Sequence, residues 1–92
     1  MMKVFKYPIE VTDYQSVTLP QNAEILTVQV QNGMPCIWAL VNPDNKAEVR
    51  KFRLAGTGHD ISTDEARMLN YIGTIQMRNG MLVLHLFEIK EV

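Results

Sequence analysis

The stretch "IQMRNGMLVLHLFEI", residues 75–89, decides the fold. Asn79-Gly80 separates two runs of strand-forming residues. Asn-Gly suits a two-residue type I′ turn, because both central positions need positive φ. The segment therefore reads as a β-hairpin. Its second arm, "MLVLHLF" (81–87), is apolar on both faces, and such a strand must be covered on both sides.

The same reading extends toward the N-terminus. A second hairpin is predicted in "AEILTVQVQNGMPCIWALV" (23–41), with Asn32-Gly33 at its tip and Met34-Pro35 lengthening the loop. In its first arm Leu26, Val28 and Val30 alternate with Thr27, Gln29 and Gln31, so one face is expected buried and the other wet. "CIWALV" (36–41) is again doubly apolar, and Trp38 is expected to fill the core. In "VRKFRLAG" (49–56), Phe52 and Leu54 point one way while Lys51 and Arg53 share the other face. "KVFKY" and "SVTL" read as shorter or edge strands. Pro8 and Pro20 end or protect them, since proline cannot donate to a ladder. The helical candidate is "STDEARML" (62–69), where Ser62 to Glu65 fits a capping box; a strand pattern resumes at Tyr71. Pro43-Asp44-Asn45, Gly56-Thr57-Gly58 and Gly73 complete the turn signals.

These elements predict one all-β domain over residues 1–92. It has about seven antiparallel strands, in a small sandwich or half-open barrel, and one short helical turn. Two doubly apolar strands in so short a chain also predict a homo-oligomer, with a symmetric dimer as the default.

Composition agrees with a folded globular chain: 47% hydrophobic and 21% charged over 92 residues. Nine basic against ten acidic residues give a net charge of −1, which offers nucleic acid no attracting field. The one cysteine, Cys36, cannot form an internal disulfide, and the N-terminus "MMKVFKYPIEV" lacks a signal-peptide core. No apolar run approaches a membrane span. The expectation is a soluble cytoplasmic protein without a membrane partner. Two histidines and one cysteine without short spacing predict no metal and no cofactor.

The candidate site is "GTGH" at Gly56-Thr57-Gly58-His59, between a strand and the capped turn. Glycines let a backbone bend sharply and approach a ligand closely, and strand-to-helix bends aim N–H groups at anions. Thr57 adds a hydroxyl, His59 a switchable donor, Ser62 the helix cap and Arg53 a nearby cation. Trp38 and Tyr71 can stack on a base. The competing reading is a plain glycine corner with His59 bonded to the backbone. His85, between Leu84 and Leu86, reads as a partly buried strand histidine with one polar partner. No catalytic constellation stands out; a hydrolase would need His59 as base with Asp60 or Asp64.

"KYPIEVTD", "VQVQNGMPCIWALVNPD", "FRLAGTGHDI" and "YIGTIQMRNGMLVLHLFE" together resemble a family of short uncharacterised proteins. These carry a domain of unknown function and are encoded by tailed bacteriophages and their bacterial hosts. The resemblance covers nearly the whole chain. It implies a phage or prophage setting and no established reaction. In that setting a non-enzymatic binder of a small anionic ligand, such as a nucleotide, becomes a sponge for a host-defence signal. The alternatives are an inhibitor or accessory factor that binds a host protein through a surface patch or β edge, and a virion-associated structural protein.

Overall fold

The computed structural model describes residues 1–90. The strands are β1 (Lys3–Pro8), β2 (Tyr14–Pro20), β3 (Glu24–Gln31), β4 (Met34–Val41), β5 (Ala47–Gly56), β6 (Leu69–Met77) and β7 (Leu82–Ile89). One helical turn, α1 (Thr63–Ala66), precedes β6. Every strand pairing is antiparallel, in two sheets ordered β1-β4-β3 and β2-β5-β7-β6. They stack in a slab of 40 × 34 × 16 Å. This is the expected all-β sandwich. β3 lies against β6 without pairing to it, so no barrel closes.

Turn chemistry sets both tight hairpins. Asn32 (φ 51°) and Gly33 (φ 78°) join β3 to β4 directly, and Gln31 pairs with Met34. The loop is therefore not lengthened by Met34-Pro35, contrary to expectation. Residues next to the closing pair of a two-residue hairpin form a non-hydrogen-bonded pair. Pro35, opposite Val30, thus lacks an N–H on the side away from β3, and the ladder loses nothing there. In the β6–β7 hairpin, Asn79 (φ 57°) and Gly80 (φ 84°) occupy the predicted turn, closed by Met81 N donating to Arg78 O. A second left-handed turn overlaps it, with Arg78 also at φ 53° and Gly80 N donating to Met77 O.

The core lies between the sheets. Val28, Ile37, Phe52, Ile75, Leu84 and Leu86 belong to its main cluster, and Leu19, Ala23, Ala39 and Val41 form a second one. Alternation along β4 sends Ile37, Ala39 and Val41 inward, which puts Trp38 on the outer face, half-buried. The expected core role of Trp38 is thereby corrected. In β3 a bulge between Ile25 and Thr27 resets the alternation. Val28 is buried, while Leu26 and Val30 are exposed, unlike the single buried face the sequence suggests. Gly73 is not a turn residue; it sits in a β6 irregularity between Tyr71 and Thr74. A Cβ there would stand 2.9 Å from Val28 Cγ1, so its bareness allows the close approach of β3 and β6. Beside the second cluster, Arg50 donates to both Glu88 oxygens at 2.6 and 2.7 Å and to Ala23 O. That bidentate bond holds the Arg50 pKa above its usual value.

Candidate functional site

Arg53 leaves the solvent-facing side of β5 yet is only 5% exposed. The chain after Gly56 folds back over it. Its Nε donates to Glu65 Oε1 (3.3 Å), Nη1 to Leu54 O (2.9 Å) and Nη2 to Asp60 O (3.3 Å). The guanidinium also sits 4.8 Å from the centre of the Tyr14 ring. Tyr14 in turn donates its hydroxyl to Glu65 Oε2 at 2.5 Å. That bond raises the phenol pKa. Ser62 caps α1 as expected, accepting from Glu65 N at 3.1 Å. The reciprocal half of the capping box is replaced, because the Glu65 carboxylate is held by Tyr14 and Arg53. Arg53 and Tyr14 thus tie α1 to the sheet through Glu65.

In the turn itself, Thr57 N donates to Val83 O (3.2 Å) and His59 N to Gly56 O (3.0 Å). Gly58 takes φ 85°. The His59 imidazole lies over Gly56, where a Cβ would meet its Cε1 at 2.8 Å. The imidazole is exposed and, with Gly56 and Leu82, lines two neighbouring hollows. One, of about 150 Å³, is floored by Leu54, Leu82 and Leu84 and rimmed by Thr12, Asp13 and His59. The other, of about 240 Å³, lies beside Thr57, His59, Met81 and Val83. Asp60 gives its carbonyl to Arg53, and the Asp64 carboxylate accepts from Arg67 at 3.5 Å.

Thr57 faces the opposite side of the sheet. Its Oγ1 shares a hydrogen bond of 2.7 Å with His85 Nε2, and His85 Nδ1 shares one of 2.9 Å with Thr74 Oγ1. Thr74 Oγ1 is bonded to the Tyr71 hydroxyl at 2.5 Å, and the Tyr71 ring meets Phe87 edge-on at 5.7 Å. His85 therefore has two polar partners rather than one. The structure links Thr57 to Tyr71 through residues the sequence reading left apart. Trp38, on β4 of the other sheet, does not join them. Thr74 is recoverable from sequence: a turn at Asn79-Gly80 sets it opposite His85.

A hollow of about 440 Å³ lies between β5 and the end of β7 and is lined by Glu48, Arg50, Lys51, Asn70, Glu88 and Lys90. Its charge is mixed, and no sequence signal marks it. Among the described residues no three His, Cys, Asp or Glu converge as a metal site. No described helix is long and apolar enough to cross a membrane.

Neither the curated proteins nor the solved structures contain a match to this chain. A family model does match, over residues 1–92, end to end. The chain with the Gly56–His59 turn and the Thr57–His85–Thr74 row belongs to the family described as Domain of unknown function (DUF7352).

Proposed function

We propose that the protein is a non-enzymatic binder that holds a small ligand at the Gly56–His59 turn. The supporting observation is the exposed His59 imidazole in the wall of two neighbouring hollows, one floored by core leucines. The two share Gly56, His59 and Leu82 in their walls, and taken together they reach the lower part of the ~300–1,000 Å³ range of small-molecule sites. The chemistry argues for a flat ring in the leucine slot, with His59 and Thr12 as hydrogen-bonding groups at the rim. It argues against a bare anion. Arg53 is committed to Glu65 and two carbonyls, and Asp13 adds negative charge beside the slot. A nucleoside or nucleotide held mainly by its base fits best. In a phage or prophage cell, sequestration of a host-defence nucleotide needs no more than this.

The test is thermal unfolding with nucleosides, mono- and cyclic nucleotides, and inorganic phosphate. Base-containing ligands should stabilise by about 2.7 kcal/mol at ~100 times their dissociation constant, and phosphate should not. His59→Ala should abolish the gain. Stabilisation by phosphate alone, or by none of the panel, overturns the reading. A second reading has its own observation. Half-buried Trp38 shares the outer face of the smaller sheet with exposed Val4, a surface suited to a host protein. A ligand-blind protein that loses partner binding on Trp38→Ala would favour it.

A further inference from the structure

β1 is the margin of the three-stranded sheet, paired only with β4 and without a bulge. Ile9 N donates to Pro35 O, one step beyond the Pro8–Cys36 pair. That bond fixes the parity of the strand, because backbone groups of an antiparallel strand point alternately to either side. Lys3, Phe5 and Tyr7 aim their N–H and C=O groups at β4. Val4 and Lys6 aim theirs outward, and Pro8, also outward, has no N–H to offer. The margin also carries apolar side chains on both faces: Val4 is 55% exposed on the outer face and Phe5 38% on the inner. An unpaired strand of this kind is a template for strand addition. β2, the corresponding margin of the other sheet, exposes Ser16 and Thr18, and its Tyr14 is engaged with Glu65.

We infer that β1 pairs with β1 of a second copy, antiparallel and centred on Phe5, making one continuous six-stranded sheet across a two-fold axis. The outward parity requires a register centred on a residue, and side-chain pairing favours Phe5 as that residue. Centring on Lys6 would set lysine against lysine, and centring on Val4 would set Lys3 against Phe5 and leave Tyr7 opposite no residue of the other strand. With Phe5 on the axis, Val4 lies opposite Lys6 of the other copy, and these two exchange both backbone bonds. Met2 lies opposite Pro8, whose carbonyl accepts although it cannot donate. Lys3 falls opposite Tyr7, placing an ammonium at an aromatic ring, and no lysine faces a lysine. Phe5 meets its own symmetry mate in a non-hydrogen-bonded pair, the closer of the two pair types, at Cα separations of ~4.5 Å. The second copy is the occupant because this register pairs the outward N–H and C=O groups of the strand with their own mates, covers exposed Val4 and Phe5, and sets no lysine opposite a lysine.

Sedimentation equilibrium should show a concentration-dependent dimer. Lys6→Pro removes an outward N–H and leaves the β4 ladder intact, while Phe5, now before proline, stays in its extended conformation. It should give a folded monomer by circular dichroism. Phe5→Cys should form a disulfide-linked dimer on mild oxidation, since symmetry places the two thiols side by side. Val4→Cys should not. A wild-type monomer at every concentration, a dimer that survives Lys6→Pro, or cross-linking of Val4→Cys in place of Phe5→Cys overturns the proposal. If Lys6→Pro fails to fold, the cysteine pair still decides. None of these readouts involves the His59 hollows, so the two proposals fail separately.

Discussion

Removing the Arg53 guanidinium would leave the Glu65 carboxylate, the Asp60 carbonyl and the Tyr14 ring without their common partner. Arg53→Ala should therefore cost about 3 kcal/mol in urea unfolding. The low end of the range for a broken buried pair applies, because the Glu65 side chain keeps 23% of its exposure. That variant is a poor probe of ligand binding for the same reason. Tyr14 carries a pH signature. Its phenol is raised above 10.0, first by the hydrogen bond to Glu65 and then by burial. A raised pKa means the folded state prefers the protonated phenol. The contribution is complete below pH 10 and is lost as pH climbs through the raised value. Burial raises the Tyr7 phenol as well, so ultraviolet difference titration of the wild type against Tyr14→Phe should assign the late ionisation lost in the variant to Tyr14, while that of Tyr7 remains. At this scale the sequence was half legible. Alternation placed Arg53 on the same face as Lys51, and turn register placed Thr74 against His85. The burial of Arg53 was not readable, because it depends on residues 57–66 folding back over the strand, and no local period encodes that.

The hairpins were readable as elements because Asn32-Gly33 and Asn79-Gly80 have few alternatives at positive φ. The irregularities were not. The bulge in β3 turns Ile25 rather than Leu26 toward the core, and Gly73 looks like a turn signal when it is a gap left for Val28. Gly73→Ala forces a methyl group into that gap. Val28 is 2% exposed and cannot swing away. Overpacking there should cost about 1–3 kcal/mol by denaturant titration. A loss well under ~0.5 kcal/mol would mean that the sheets separate easily along β3 and β6.

Across the whole molecule, strand number and sandwich class follow from the spacing of turns, but the pairing order does not. β5 finds β2 and β7, and β1 finds β4, through contacts remote in sequence that no local pattern specifies. The order does fix a stability gradient. β4, β5 and β7 are flanked on both sides, and β1, β2, β3 and β6 on one. Amide exchange should be slowest in the first three and fastest at the outward N–H groups of Ser16 and Thr18 on β2. Uniform protection across all seven strands would contradict this.

Trp38 points away from the space between the sheets, on a strand next to β1, and it is the single indole in the chain. Its emission is a built-in lamp for one side of the protein. A spectral shift toward the blue would announce that something has settled on the smaller sheet, whereas filling of the hollows beside His59 would leave the lamp unchanged.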